Sequence, residues 1–457
     1  MAKKRGGPAP RSRSMPRQGN RQEKRPRDLS ARIAAGSLAV AFLGAGLAVD
    51  SGADASFDAP KRLTALLFIG LAAAALSFSR WQNPFAREDF SSPRDWTLLL
   101  AGGALLWALF SAFLSPHRTL ALDSTRALLL YALLLPIGAS RALAKGGRFL
   151  LGTFLAVAAV NAVISILQSR GLYHPFALQT DPGSRESTGG FVGNVGYLAV
   201  ALALAAVCAL ALVLSSRRFL VRATAAGGAL LFAGGLLVNR NLTSLTALLA
   251  GSTILLLAIW GRRALLPVAG LVLTLVLAVA AYSPMRMRVL DSISAARAGD
   301  WNRVLTYRVG PWKAAMAMAR ERPLFGFGPG TFGAEYIPHR LNVEIESRRR
   351  YDNPLRTSSY SEAHCDYLQP FAEAGLPAGL AALGSVAFLF IGLARSLARR
   401  DWDHRQEAIL LMAILGAGAA AALTWFPLQR PISSIPLLLA AGRAWRISGT
   451  PAGGQVQ

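Results

Sequence analysis

Charge is what this chain has least of. Only 16% of its 457 residues are Asp, Glu, Lys or Arg, against roughly 25% in an ordinary soluble domain, and the acidic residues number just 24. That scarcity excludes the row of soluble globular units which the length alone would suggest. Cysteine is nearly missing too. Cys208 sits in an apolar stretch and Cys365 in a polar one, which leaves no plausible disulfide pair and no repeated Cys/His metal spacing. No internal repeat points to a transporter built from two similar halves. Across 31–282 few ionisable side chains lie near the middle of the apolar stretches, whereas ion-coupled transport usually needs a carboxylate, His or Lys relay there.

What is abundant is apolar. Hydrophobic residues make up 53% of the chain and fall in blocks at 31–49, 61–79, 97–114, 123–140, 148–168, 191–214, 220–238, 242–260, 264–282, 366–393, 407–425 and 431–445. Blocks of about 20 residues match the thickness of a bilayer. The pattern predicts an all-α polytopic membrane protein of about 12 transmembrane helices. The last block carries Pro431 and Pro436 and reads as a partial or tilted helix.

Lys and Arg number 49, giving a net charge of +25, which in a soluble chain would raise nucleic-acid binding. Here the basic residues stand between apolar blocks, where they report topology. With the N-terminus in the cytoplasm, 28 of the 49 fall on the cytoplasmic side and 8 in the short outer connections: Lys61, Arg62, Arg118, Arg126, Arg170, Arg185, Arg240 and Arg430. The remaining 13 lie in 283–365, a segment long enough to translocate regardless of charge. The expected organisation is a disordered basic cytoplasmic tail (1–30), a nine-span region (31–282), a periplasmic loop (283–365), a three-span region (366–445) and a cytoplasmic tail (446–457). The first tail has the composition to touch anionic lipid. Ala53-Asp54-Ala55 looks like a signal-peptidase site, but the preceding apolar block exceeds the usual 7 to about 15 residues, so an uncleaved anchor is expected.

Segment 283–365 is far longer than an ordinary connection, and such loops commonly carry function. Asp300 reads as the cap of an amphipathic helix with a stripe of Trp301, Leu305, Arg308/Val309, Trp312 and Met316. "PLFGFGPGTF" (323–332) then makes a glycine-rich turn. Such a run can cradle phosphate, but the spacing is not a P-loop or dinucleotide fingerprint, and a plain turn is favoured. Trp301 and Trp312 read as packing residues before they read as a sugar platform. Glu362 and Asp366 flank His364 at i−2 and i+2, spacings that share no helix face, which argues against a metal site. A Cys365/His364 dyad meets the same objection. The run Arg348, Arg349 and Arg350, with Arg340 and Arg356, is either solvated or a collector of anionic glycan and lipid headgroups.

"YRVGPWKAAMAMARERPLFGFGPGTF" (307–332) followed by "EAHCDYLQPFAEAGLPAG" (362–379) resembles the paired motif of the O-antigen ligase and polymerase superfamily: an Arg, a Trp, Pro-Leu-x-Gly-x-Gly, then Glu-x-His-Asn-x-Tyr-Leu-Gln and Glu-x-Gly. "GGFVGNVGYLA" (189–199) is similar to that family's Phe-x-Asn-x-Asn segment, and "LQSRG" (167–171) fits its upstream Gln and Gly. Two departures stand out. Leu245 occupies the place of the Arg in the family's Ser-Arg-Gly, with Arg240 five residues upstream, and Cys365 replaces the Asn after the motif His.

The resemblance implies a metal-independent, inverting glycosyltransferase of the C-type membrane class, without cofactor, in the bacterial inner membrane with both termini cytoplasmic. Its donor would be a glycan on undecaprenyl diphosphate, and its acceptor the hydroxyl of a glycolipid, a growing glycan or a protein. Ligase, polymerase and protein O-oligosaccharyltransferase share these motifs. A solute or glycolipid transporter is the alternative of another class. A departing diphosphate needs guanidinium groups, for which Arg308 and Arg240 are candidates, with Arg240 equally readable as an interfacial anchor and Arg308 as a solvated helix face. The attacking hydroxyl needs a base, the role of His364, which as a bland alternative would stabilise the start of the span at 366. Glu373, Asn194, Trp312 and Glu362 are candidates for supporting the site, Glu373 either by orienting Arg308 or by capping polar backbone.

Overall fold

A computed structural model of the chain describes residues 24–53, 55–77, 92–144, 146–173, 185–351, 359–398 and 402–448. Asp54, Arg356, most of the basic first tail and most of the last tail lie outside these residues. Among the described residues the structure is helical with no strand. In chain order the helices are α1 (Lys24–Leu47), α2 (Asp58–Ser77), α3 (Pro93–Phe113), α4 (Arg118–Ala132), α5 (Leu134–Ala139), α6 (Arg141–Ala144), α7 (Gly147–Ser169), α8 (Val195–Ser215), α9 (Phe219–Asn239), α10 (Leu242–Trp260), α11 (Leu265–Ala281), α12 (Ser283–Arg297), α13 (Trp301–Val304), α14 (Val309–Glu321), α15 (Phe332–Ser347), α16 (Gln369–Leu397), α17 (Trp402–Ala422) and α18 (Pro431–Ser448).

Each of the twelve apolar blocks forms helix, and the chain is a multi-pass membrane protein. Ten described runs are long and apolar enough to cross a bilayer; one of them, Leu242–Ala281, is 40 residues long and is divided into α10 and α11 by a turn at Gly261, whose φ is 57°. The block at 123–140 is likewise two pieces, α4 and α5, because the ring of Pro136 would clash with the Ala132 carbonyl in an unbroken helix. The last block, expected as a partial or tilted helix, forms α18, which is not among the ten runs apolar enough to cross. α18 runs unbroken for 18 residues, past Pro436, and Pro431 is its first residue, where a missing N–H costs nothing.

α8 is the axis of the bundle. Its Ala- and Leu-rich sequence is buried along nearly its whole length against α7, α9, α10, α17 and α18, since small side chains let neighbouring backbones approach. α11, equally apolar, buries no residue at all, an arrangement suited to lipid rather than water.

Contacts sort the connections into two ends. At one end Lys61 Nζ donates to the Ala48 and Phe57 carbonyls (2.6 and 2.8 Å), and Arg430 reaches both Asp58 and Glu362. At that same end His117 pairs with Glu335 at 2.7 Å, Arg185 Nε donates to the Asn239 carbonyl and Arg308 bonds Thr243. At the opposite end Arg443 pairs with Glu407 at 2.6 Å and Arg94 lies over Trp445. The long segment 283–368 therefore folds onto the short connections before α2, α4, α10 and α18.

Within that segment the expected helix from Asp300 is in two pieces. Asp300 does cap, its Oδ1 accepting from Arg303 N at 3.1 Å, but α13 stops after one turn, and Thr306 and Tyr307 take φ of 53° and 61°. The cause is Pro311. In a continuous helix its ring would meet the Tyr307 carbonyl, whereas in the first turn of a new helix it is tolerated. The buried face of α14 is Gly310, Pro311, Ala314, Ala315 and Met318; Trp301 and Met316, expected on the packing stripe, are exposed.

Candidate active site

The glycine-rich run lies in a break of α16. Gly375 leaves the helix with φ 81° and ψ 176°, and the freed groups bond the run as an extended pair: Phe327 N donates to Ala372 O (3.1 Å), Gly328 N to Glu373 O (2.7 Å) and Leu376 N to Pro323 O (2.7 Å). Ser111 and Ser115 of the α3 end add hydroxyl donors to the Phe325 and Phe327 carbonyls. With those N–H groups already engaged the run is a structural turn, not a phosphate cradle. Glu373 belongs to this construction. Its Oε1 accepts from Phe332 N (3.3 Å) and Gln369 Nε2 (3.0 Å), so it caps polar backbone rather than orienting Arg308. Gln369 in turn accepts from Ala363 N at 3.1 Å, which fixes the strand of chain carrying His364.

His364 adopts a left-handed conformation, φ 55°, costly for a residue with a Cβ and held from several sides. Trp312 Nε1 donates to the His364 carbonyl at 3.3 Å. The ring stands edge-on to Tyr360, Trp425 and Phe426, with centroids 4.8, 5.1 and 4.7 Å away. Its Nδ1 is 3.0 Å from the Glu362 carbonyl. A carbonyl only accepts, so Nδ1 carries the proton and Nε2 keeps its lone pair. The Glu362 carboxylate is gripped by Arg430 Nη2 at 2.5 Å, whose Nη1 holds Asp58 at 2.9 Å, and the Arg430 guanidinium stacks over Tyr197 at 4.3 Å. Burial, then the positive charges of Arg308 and Arg430, push the His364 ring down to about 3, so it is neutral at physiological pH.

Arg308 comes to the same aromatic wall. Its Cζ lies 5.0 Å from the Trp425 ring centroid, and its Nη1 donates to Thr243 Oγ1 at 3.0 Å. Thr243 is itself tied to Thr424 at 2.9 Å. Burial and the like charges of Arg288 and Arg185 push the Arg308 guanidinium down to about 10; it stays charged, in surroundings that favour an anion. Arg240 sits at the turn between α9 and α10 with φ 49°, its buried Nε without a hydrogen-bond partner among the described residues.

The structure thus brings His364, Arg308, Glu362 and Trp312 together. Asn194 has a different job: it caps α8, accepting from Gly196 N at 2.8 Å and Tyr197 N at 3.3 Å. Leu245 packs against the main core. Cys365 is buried, and burial raises its thiol above the ordinary range, which disfavours a thiolate. Arg348, Arg349 and Arg350 are exposed beyond α15, and Arg340 is half-buried over Tyr336. Sequence reasoning missed Trp425, Phe426, Tyr360, Thr243, Arg185, Arg288 and the role of Arg430. The "TWFPLQRP" stretch at 424–431 was the available signal, two adjacent aromatics and an Arg at the mouth of a span.

Residues 227–383, from within α9 to within α16, match the family model described as O-antigen ligase. That stretch contains Arg240, Thr243, Arg308, His364 and Glu373, and leaves Trp425 and Arg430 outside it. No curated protein matches the chain.

Proposed function

We propose, from the match of residues 227–383 to the O-antigen ligase family model, that the chain transfers a preassembled glycan from undecaprenyl diphosphate to an acceptor hydroxyl, as a ligase does. The observation that supports this most directly is the meeting of His364 and Arg308 on one aromatic wall, 5.1 and 5.0 Å from Trp425, although 56 positions separate them in the sequence. The acceptor O–H gives its proton to His364 Nε2 as its oxygen bonds the anomeric carbon. The bond from that carbon to the phosphate oxygen breaks, and the diphosphate leaves with the electron pair, its charge met by Arg308. Displacement from the face opposite the leaving group inverts the anomeric centre, and no step calls for a metal. The arriving diphosphate also offsets the positive field of Arg308 and Arg430 on His364 and so raises its affinity for the acceptor's proton.

In this reading the protein lies in a bacterial inner membrane, with segment 283–365 and the site on the periplasmic side and both termini in the cytoplasm. Purified protein in detergent, given a lipid-linked donor and acceptor without any gradient, should release undecaprenyl diphosphate. Transport in liposomes with no turnover from several authentic donor and acceptor pairs would overturn the reading in favour of a transporter. A knockout separates ligation from its relatives. Retained long lipid-linked chains mark a ligase, accumulated single repeat units a polymerase, and loss of glycoprotein alone a protein oligosaccharyltransferase.

A further inference from the structure

The first turn of α10 collects positive charge from four separate elements. Arg240 and Asn241 begin it, with Arg240 Nε and Ser244 Oγ both buried and without hydrogen-bond partners among the described residues, while Asn241 Oδ1 caps Ser244 N at 3.2 Å. Arg308 reaches Thr243 from the segment before α14. Arg185 comes from the turn before α8 and bonds the last carbonyl of α9 at 3.1 Å. Arg288 comes from α12, which packs on α9, and its half-buried guanidinium also has a buried Nε without a partner. Among the described residues Glu186 and Asp291 are the acids whose charge reaches Arg288, and Asp291 is engaged by Arg303. Burial and the neighbouring Arg240 lower the proton affinity of Arg288, the mark of like charges held together. The N-terminus of α10 adds its own attraction for an anion.

We propose that Arg288 supplies the guanidinium which Leu245 withholds, and that with Arg240 it holds the lipid-side phosphate of the donor while Arg308, beside His364, holds the sugar-side phosphate. The assignment rests on the diphosphate-donor reading above. It follows from placement: Arg308 shares the Trp425 wall with the base, so the phosphate whose oxygen leaves belongs there. Arg240 follows α9 and Arg288 stands on α12, which packs on α9, and the charge of Arg288 reaches Arg308, so a second phosphate is assigned to them. Arg288 thereby sets the preference for diphosphate over monophosphate.

The test measures binding of undecaprenyl diphosphate and undecaprenyl monophosphate to the full chain in detergent. Wild type should prefer the diphosphate. Arg288→Ala should weaken diphosphate binding by about tenfold or more, the scale of one charge-assisted hydrogen-bonding pair, and leave monophosphate binding within about twofold. Arg288→Lys, which keeps the charge without the fork, should fall between, and serves if the Ala variant does not fold. Arg286→Ala removes an exposed guanidinium two positions away, which donates to the Ala280 carbonyl, and should change neither affinity. An intact diphosphate preference in Arg288→Ala and Arg288→Lys, with wild type showing one, overturns the role of Arg288 alone. Wild type binding neither lipid overturns the donor reading and this assignment with it.

Discussion

If His364 is the base proposed above, it is a reluctant one in the free protein, pushed down to about 3 by burial and by two guanidinium groups. Two kinetic outcomes follow. The kcat/KM profile, which reports the free enzyme, should show no inflection near the ordinary histidine value of about 6.5, while the acid limb of kcat, which reports the donor complex, should lie at higher pH. Coincident limbs near 6.5 would contradict a buried, Arg-flanked base. His364→Ala should lower turnover by about 10² to 10⁴ with donor affinity nearly unchanged. Full activity in that variant would remove the base. Arg308→Lys should instead weaken donor affinity and turnover together, because the planar fork is lost while the charge stays. Asp366 titrates in the opposite sense. Burial pushes its carboxyl up from 3.8 to about 7, so the folded state holds a proton that the unfolded chain releases. Its contribution is present below about 3.8 and lost as pH rises to about 7. Asp366→Asn should flatten that part of the stability profile, and a melting temperature with the same pH slope in both proteins would refute it.

At the scale of elements, backbone shape decides more than side-chain chemistry does. A Cβ on Gly375 would lie 2.2 Å from the Leu324 carbonyl oxygen, at a φ of 81°, so Gly375→Ala should cost about 1–3 kcal/mol or more and be read as a clear drop in melting temperature. Gly270→Ala, on the unburied α11 with open space around it, should be neutral or slightly stabilising, since Ala is the better helix former. Equal melting temperatures in the two variants would argue that the break in α16 carries no strain. These elements also mark where sequence reading stops. The glycine run was legible as a turn and Asp300 as a cap, because both are local. The division into α13 and α14 hinged on Pro311, whose effect on the carbonyl four residues back outweighed the apolar spacing. Arg430 and Trp425 were missed as site residues because they meet Glu362 and His364 only through the packing of α17 and α18, more than 60 positions away, and the aromatic pair beside an Arg does not by itself name its partners.

For the whole molecule, the all-helical multi-pass class was legible, because bilayer thickness sets the length of the apolar blocks, whereas about 12 expected spans stand against ten described runs apolar enough to cross, one of them divided into α10 and α11. Side remains an experiment. Reporter fusions near 217 and 262 should be active in the cytoplasm and one near 340 outside, and a periplasm-active reporter at 262 would invert the arrangement. The pairing of the glycine run with the break in α16, and with the serines of α3, has a further meaning for anyone rebuilding this protein. Segment 283–368 is stitched into the bundle by main-chain bonds at 323–328 and 372–376. A chimera that borrows this segment from a relative to change acceptor choice must bring its own α16 break and its own end of α3 along. The natural unit of exchange is two discontinuous pieces of chain, the end of α3 and the stretch from 283 through the break in α16, and recombination at the obvious loop boundaries would yield proteins that insert normally but are catalytically dead.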